Sequence, residues 1–265
     1  MILDKANIDD ITHKDLVFLN QKKLIYKYCS YEVGLNDIIL KQSLKFSNPS
    51  EYNDPFDCHE SLIKLDLMNL NFETFIEEQY PNLSRNIKRG LVRDFNSKYL
   101  YKCLLEERKR FKITCFSLSY NNILMWSHYA DKHRGICVGF QFHPIYHDKF
   151  ILTPVSYIDK IPLIDGKVDA YKMIRYWLSI KSNCWVYEKE VRAITKSKNN
   201  NSFEYIHYEK DDIKEIIFGC KVSQKEIAQT QKILKSNGFN LKKIAFKRME
   251  IDENTFKLKD SILAT

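Results

Sequence analysis

The alternation of apolar and polar residues predicts short strands in both halves of the chain, with a long helical region between them. Strand-like runs cover residues 24–28, 44–47, 112–117, 135–142, 150–157, 185–195, 215–218 and 243–249. Helical spacing covers residues 8–24, 31–40, 123–132, 169–180 and 223–236. The last of these helices is predicted to begin after Ser223 as its N-cap and to end just before Gly238. The sequence therefore predicts an α+β fold.

Between the two strand-rich parts, the region from residue 62 to 110 has helical character almost throughout. Its helix breakers are Pro81 and Gly90, and charged residues surround its apolar positions. We find neither an internal repeat nor a clear linker in the chain. The prediction is a single α+β domain over residues 1–265 with a mainly helical insertion at about 59–111.

Composition and charge narrow the classes of protein. The chain is 44% hydrophobic and 29% charged, which predicts a packed core rather than disorder. Its 42 Lys and Arg residues against 34 Asp and Glu residues give a net charge of +8, which favours an anionic partner. The N-terminal residues lack the pattern of a signal peptide, and no stretch has the roughly 18 apolar residues of a membrane span. These features predict a cytoplasmic protein without membrane contact.

Cysteine and histidine spacing argues against disulfide and metal chemistry. The seven cysteines are scattered without a CxxC pair, which is typical of reduced thiols in a cytoplasm. His128 and His133 stand five residues apart, a step that does not align two ligands on one helical face. The sequence also lacks the glycine-rich phosphate loops and the GxSxG serine elbow. We therefore expect seven free thiols and no metal.

The strongest chemical pattern is WVYEKEVRAI at residues 185–194. In an extended segment, alternate side chains share a face, so Glu188, Glu190 and Arg192 are predicted to project together. Two carboxylates so close repel each other unless a positive group or hydrogen-bond donors hold them. Such a pair suits a cation that forms during a reaction, for example an oxocarbenium-like sugar. The alternative is a solvated strand face with an ordinary Glu–Arg pair.

Two other motifs have both a functional and a purely structural interpretation. In NDPFD, at residues 53–57, Asn and Asp near Pro build tight turns, and such loops often direct donors toward a ligand. In MWSHYA, at residues 125–130, Trp126 and Tyr129 share a helix face and could enclose a flat heterocycle. The NDPFD loop could equally be a well-formed turn, and the aromatic pair could belong to the core.

The order of these motifs resembles that of an uncharacterised bacterial domain family, from about residue 24 to the closing strands. The family in turn resembles the ADP-ribosyltransferase-like superfamily. In those enzymes an early strand carries His or Arg, often before Tyr, and one branch has Ser-x-Ser in a middle strand. A Glu-x-Glu turn then leads into a late strand. The matching segments here are Lys27-Tyr28, Ser117-Leu-Ser119 and Glu188-Lys-Glu190, with Lys27 departing from the His or Arg pattern.

The resemblance implies a split β-sheet core and an NAD-dependent ADP-ribosyltransferase of the toxin or defence type. NAD would be the substrate, and Glu190 would stabilise the sugar cation while Glu188 accepts the acceptor's proton. The other residues implied to contact NAD are Lys27, Tyr28, Ser47, Asn53, Asp54, Phe56, Ser117, Trp126 and Tyr129. The acceptor would be anionic, with nucleic acid favoured over protein, and an antitoxin or inhibitor protein would be a further partner.

Two alternatives stay open at the level of the sequence. A metal-dependent nuclease would hold Mg²⁺ with Asp54, Asp57, Glu188 and Glu190. A non-catalytic module would bind nucleic acid or protein. NAD should protect the first kind of protein against thermal unfolding, Mg²⁺ the second, and neither ligand the third.

Overall fold

The computed structural model describes residues 24–66, 72–94, 102, 105–106, 108–142, 149–165, 170–197 and 201–264. The helix predicted over residues 8–24 lies outside this part of the chain. The strands in the described residues are β1 (Ile25–Cys29), β2 (Ser43–Ser47), β3 (Lys64–Asp66), β4 (Phe111–Ser117), β5 (Ile136–Phe140), β6 (Ile151–Pro154), β7 (Ser156–Ile158), β8 (Leu163–Asp165), β9 (Ile180–Ser182), β10 (Glu190–Lys196), β11 (Phe203–His207), β12 (Ile213–Phe218), β13 (Ala245–Ile251) and β14 (Leu258–Ile262).

The helices lie between these strands. The α-helices are α1 (Phe72–Gln79), α2 (Arg85–Asp94), α3 (Ile123–Tyr129), α4 (Ala170–Ser179) and α5 (Gln224–Ser236). A π-helical segment covers Val33–Leu40, and a 3₁₀ segment covers Asn183–Glu188. Within the described residues, none of the helices combines the length and apolar character needed to cross a bilayer.

One mostly antiparallel sheet organises the described part of the chain. Its strand order is β11-β2-β4-β1-β5-β12-β13-β14, and β10 and β6 extend it from the remaining edge of β4. Among the described strands of this sheet, only β12 and β13 pair in parallel. The short pairs β3–β8 and β7–β9 are also parallel, and each forms a small sheet of its own. Strands and helices of this kind confirm the α+β prediction.

The sheet is split beside β4. Strand β10 pairs with β4 along its whole length. Strands β1 and β2 must therefore share the opposite edge of β4, where Tyr26 pairs with Ser117 and Ser47 pairs with Ile113. Between these two points β1 and β2 diverge and leave residues 114–116 without a strand partner on that side. This divergence opens a cleft in the sheet.

Local sequence signals predicted the positions of several helices and strands correctly. Helix α5 begins at a capping box, in which the Ser223 hydroxyl accepts a hydrogen bond from the Glu226 amide at 3.2 Å. Gly238 follows the helix with a φ of +75°, the left-handed conformation that glycine adopts without strain. Strands β1, β2, β4, β5, β12 and β13 also fall where the apolar pattern predicted them.

The strand predicted over residues 185–195 is wrong in its first half. Residues 183–188 form the 3₁₀ segment, Lys189 is left-handed with a φ of 45°, and β10 begins only at Glu190. The Lys189 carbonyl accepts a hydrogen bond from the Leu118 amide at 2.9 Å, which anchors this turn to the end of β4. The tertiary contacts therefore determine the backbone conformation of this segment, although the alternating apolar pattern predicts a strand.

Strands β11 and β14 have no counterpart in the sequence-based prediction. Both are strands with many exposed positions, so their apolar side chains do not form a buried stripe. Within the predicted insertion at about 59–111, the described residues include α1 and α2, together with strand β3, which pairs with β8. The extent of the domain and of the insertion stays a prediction. The six cysteines that the structure describes are unpaired.

Candidate functional site

The cleft beside β4 has a volume of about 290 Å³. It collects side chains from β1, β2, β4, α3, β9 and the segment around Glu188. The predicted site residues that line it are Lys27, Tyr28, Ser47, Asn53, Tyr129, Glu188 and Glu190. Tyr28 and Glu190 thus lie on one cleft although most of the chain separates them in sequence. Other residues that line it include Tyr26, Lys45, Tyr52, Asp57, Cys115 and Lys181.

A buried lysine lies among the carboxylates of this cleft. Lys181 Nζ is 2.7 Å from Glu188 Oε2, 3.0 Å from Glu190 Oε2 and 3.7 Å from Asp57 Oδ2. The ammonium reaches them from β9, which follows α4 directly in the chain. A positive group therefore holds the two glutamates together, as their mutual repulsion requires.

Arg192 completes the cluster from β10. Its Nε donates to Glu190 Oε1 at 2.8 Å, one Nη lies 2.7 Å from Asp57 Oδ1, and the other donates to the Leu178 carbonyl at 2.8 Å. The five charged side chains are buried, with exposures from 0% for Arg192 to 7% for Lys181. Three carboxylates against two cations leave a formal net charge of −1. The solvated strand face considered above is therefore wrong.

The turn that carries the glutamates is fixed from both sides. Asn122 caps α3 by accepting hydrogen bonds from the first-turn amides, and its Nδ2 donates to the Tyr187 carbonyl at 3.1 Å. On the other side, the Glu190 amide donates to the Tyr157 hydroxyl at 2.7 Å. The left-handed Lys189 between the glutamates is a strained conformation for a residue with a Cβ. These contacts hold the turn in a shape that brings both carboxylates to one ammonium.

The environment drives the pKa values of the two glutamates apart. Burial raises the pKa of Glu190, but the charges of Arg192 and Lys181 outweigh it and hold that pKa at about 2. Burial raises the pKa of Glu188 above its usual value, although Lys181 and the Tyr129 hydroxyl, which donates to Oε1 at 2.7 Å, oppose this. Glu190 is thus held ionised, whereas Glu188 is the carboxyl group better suited to exchange a proton.

The low pKa of Glu190 makes the stability of the fold sensitive to acid. Its ordinary value is 4.5, so its contribution to the free energy of unfolding is complete above that pH and is lost as the pH falls toward 2. The stability difference between the parent and Glu190→Gln should shrink by about 2 kcal/mol from about pH 5 to about pH 3.

Urea unfolding at the two pH values measures this difference. The raised pKa values of Glu188 and Asp57 act in the opposite direction, and the comparison with the variant cancels most of their contribution. A difference that stays constant over the interval would contradict the ionised assignment for Glu190.

The Lys27 side chain lies in the gap between β1 and β4. Its ammonium donates to Thr114 Oγ1 and to the Cys115 carbonyl, both at 2.9 Å, where a ladder between β1 and β4 would otherwise run. Burial lowers the pKa of Lys27. Both acceptors are neutral, and an ammonium has three donors, so its two hydrogen bonds to described residues leave the third donor for a ligand in the cleft.

Four predicted site residues lie away from this cleft. The Ser117 hydroxyl is buried and donates to the Glu188 carbonyl at 2.6 Å, so it braces the turn. Trp126 is fully buried, donates to the Tyr120 carbonyl and packs edge-on against Tyr28. Asp54 and Phe56 line a separate cavity, because the turn of the NDPFD loop directs them to its other side.

Sequence reasoning missed Lys181. The residue follows the segment Tyr176–Ile180, which is apolar except for Ser179 and is buried at every position. A lysine at the end of such a run is unusual, because a buried ammonium needs a partner. That signal was present in the sequence, but the partners it needs are distant in the chain.

The same geometry weakens the nuclease alternative. An ammonium already lies where a divalent cation would have to bind Glu188, Glu190 and Asp57 together, and Asp54 lies on another cavity. In the part of the chain that the structure describes, no group of three or more His, Cys, Asp or Glu side chains has an arrangement suited to a metal ion. The donor set fits a fixed organic cation better than Mg²⁺.

Fold and site together define an α+β protein whose split sheet carries a buried carboxylate–cation cluster. Residues 125–193 match the profile of a domain family described as a protein of unknown function, DUF2971. The matched part contains MWSHYA and the turn with both glutamates, whereas NDPFD precedes it. Searches of curated proteins and of solved structures gave no match. The comparison therefore shows that two segments of the site lie in a region similar to this domain family, and it assigns no activity.

Proposed function

We propose that this protein is an NAD-dependent ADP-ribosyltransferase, an effector of the toxin or defence type. One observation carries the proposal: two segments that are far apart in sequence line one cleft, and a third segment joins them from behind. Lys27-Tyr28 on β1 and the Glu188-Lys-Glu190 turn before β10 contribute side chains to the cleft. Ser117-Leu-Ser119, at the end of β4, lies outside it and is hydrogen-bonded to both segments, because the Ser117 hydroxyl donates to the Glu188 carbonyl and the Tyr28 hydroxyl donates to the Ser119 carbonyl. These are the segments on which the resemblance to the ADP-ribosyltransferase-like superfamily rests. Their meeting supports a split-sheet core of that kind.

The electrostatics of the cluster support the chemistry. Cleavage of the bond between nicotinamide and ribose leaves positive charge on the sugar, and the buried cluster of five charged side chains, with its formal charge of −1, would stabilise that charge. Glu190, which is held ionised, supplies the fixed negative charge beside the ribose. Glu188, whose pKa is raised, takes the acceptor's proton.

The proposed reaction balances without a further reactant. The glycosidic C–N bond breaks, and its electron pair leaves with neutral nicotinamide. An acceptor oxygen or nitrogen then bonds to the ribose carbon, and its proton passes to the Glu188 carboxylate. With water as the acceptor, the same steps release free ADP-ribose.

The remaining lining side chains suit a nucleotide. Tyr28 and Tyr129 offer aromatic surface at the cleft, and Asn53 donates to the Tyr129 hydroxyl at 3.4 Å. Lys27 and Ser47 offer donors on the side of β1 and β2, where ribose or pyrophosphate oxygens would lie. The positive net charge of the chain favours a nucleic-acid acceptor over a protein. A toxin of this kind would also need an inhibitor protein in the cell that makes it.

Ligand-dependent melting with a nicotinamide-release assay tests the proposal. NAD at about 100 times its Kd should stabilise the folded protein by about 2.7 kcal/mol. Nicotinamide should also appear in solution and increase when a suitable acceptor is added. ADP-ribose and Mg²⁺ serve as comparison ligands.

Three outcomes would overturn the proposal. Stabilisation by Mg²⁺ alone would favour the nuclease. No response to millimolar NAD would favour the non-catalytic binding module. Binding of NAD without release of nicotinamide would reduce the site to a nucleotide-binding one.

A further inference from the structure

An exposed aromatic surface lies next to the cleft, on strands β2 and β11. Phe203 pairs with Ser47 and Tyr205 pairs with Lys45, so these four residues share one face of the sheet. Phe203 is 42% exposed and Tyr205 is 54% exposed. Their ring centroids are 5.5 Å apart. We name this surface, defined by Lys45, Phe203 and Tyr205, the aromatic platform.

A lysine gives the platform a positive charge. The Lys45 ammonium lies 4.6 Å from the centroid of the Phe203 ring, and the Lys45 side chain is exposed. Lys41 is also near but forms an ion pair with Asp37 at 2.7 Å. The platform therefore combines aromatic faces with a cation held against one of them.

The platform continues into the cleft. A second cavity of about 400 Å³ is lined by Tyr205 and Lys45. This cavity shares four residues with the cleft, namely Lys27, Tyr28, Lys45 and Ser47. A ligand lying on Tyr205 can therefore extend past Lys45 toward the glutamates.

We propose that the aromatic platform binds single-stranded nucleic acid and directs it into the cleft as the acceptor. The bases of the nucleic acid would stack on Tyr205 and Phe203, and one of its phosphates would form an ion pair with Lys45. The acceptor role rests on the proposed function above, whereas the binding itself does not.

The chemistry of the platform favours this occupant over others. Every unpaired base has a flat face that stacks on an aromatic side chain, and a lysine beside the stack attracts the backbone phosphate. The chain as a whole carries a charge of +8, which attracts a polyanion. In a duplex the base faces are already stacked on one another, so they are not accessible to Tyr205 and Phe203.

Fluorescence anisotropy with labelled oligothymidylate and oligouridylate, without NAD, tests the binding. Tyr205→Ala and Phe203→Ala should each weaken binding by about tenfold, because each removes one stacking surface. Lys45→Gln should weaken binding and lower the slope of log affinity against log salt by about one. Phe256→Ala is the matched control, since Phe256 is fully exposed on the hairpin between β13 and β14 and should leave binding unchanged.

The outcomes separate this proposal from the proposed function. Equal binding of a duplex, or unchanged affinity in both Tyr205→Ala and Phe203→Ala with circular dichroism showing folded protein, would overturn the platform. Competition by AMP alone at the same affinity as the oligonucleotides would also overturn it, because the site would then hold a free nucleotide. Oligonucleotide binding that depends on Tyr205, in a protein that does not consume NAD, would support the platform and contradict only the enzyme.

Discussion

Arg192→Met should lower the free energy of unfolding by about 3 to 5 kcal/mol. Arg192 is fully buried and bonds Glu190, Asp57 and the Leu178 carbonyl through three different nitrogens. Removing the guanidinium leaves the three buried carboxylates of the cluster with Lys181 as its one remaining cation, and an uncompensated buried charge is costly. Urea unfolding followed by circular dichroism at neutral pH measures the loss.

Two further variants serve as controls for this loss of stability. Lys259→Met removes a positive charge from an exposed position on β14 and should change the stability by no more than about 0.5 kcal/mol. Arg192→Lys keeps the charge but cannot reproduce the three-way contact, so it should lose a large part of the same free energy. If Arg192→Met were as stable as Lys259→Met, the buried cluster would not contribute to the fold as its geometry implies.

Glu190→Gln should reduce the release of nicotinamide from NAD by roughly 100- to 1,000-fold. Glutamine keeps the shape of the side chain and an acceptor oxygen but removes the negative charge that is proposed to lie beside the sugar cation. The variant leaves Asp57 and Glu188 to balance Lys181 and Arg192, so the cluster becomes neutral and the protein should still fold with reduced stability. Steady-state nicotinamide release, with a melting curve for each sample, measures the effect.

Controls separate a catalytic effect from loss of fold. Glu253→Gln, at an exposed position in the turn between β13 and β14, should keep full activity. Glu188→Gln should spare hydrolysis of NAD more than transfer to an acceptor, because its proposed role is toward the acceptor. Full activity of Glu190→Gln, where the parent clearly consumes NAD, would contradict the assignment of Glu190.

Tyr129→Phe tests the site independently if Glu190→Gln proves too unstable. In the parent protein, the Tyr129 hydroxyl donates to Glu188 Oε1 and thereby favours the ionised carboxylate. Without that hydrogen bond the pKa of Glu188 should rise further, so the pH–rate profile should move to higher pH. If the role of Tyr129 were purely structural, its replacement would lower the activity equally at every pH.

The fold was predictable where one local pattern and the tertiary environment agree. Strand β4 is buried at nearly every position, and its apolar run marks it as a strand by itself. Helix α5 carries its own start signal in Ser223 and Glu226. Strand β11 is different: it lies at an edge of the sheet, and because Phe203 and Tyr205 are exposed, its apolar residues do not form a buried stripe.

The sequence alone therefore determined that this is an α+β protein, and its motifs predicted one site for Tyr28, Tyr129, Glu188 and Glu190, which line the same cleft. Only the tertiary structure decided that Lys181 lies between the glutamates, that Trp126 belongs to the core, and that Asp54 and Phe56 line another cavity. The reason is physical. Periodicity reports which face of an element is buried, whereas the compensation of a buried charge depends on distances between groups that the chain brings together from far apart.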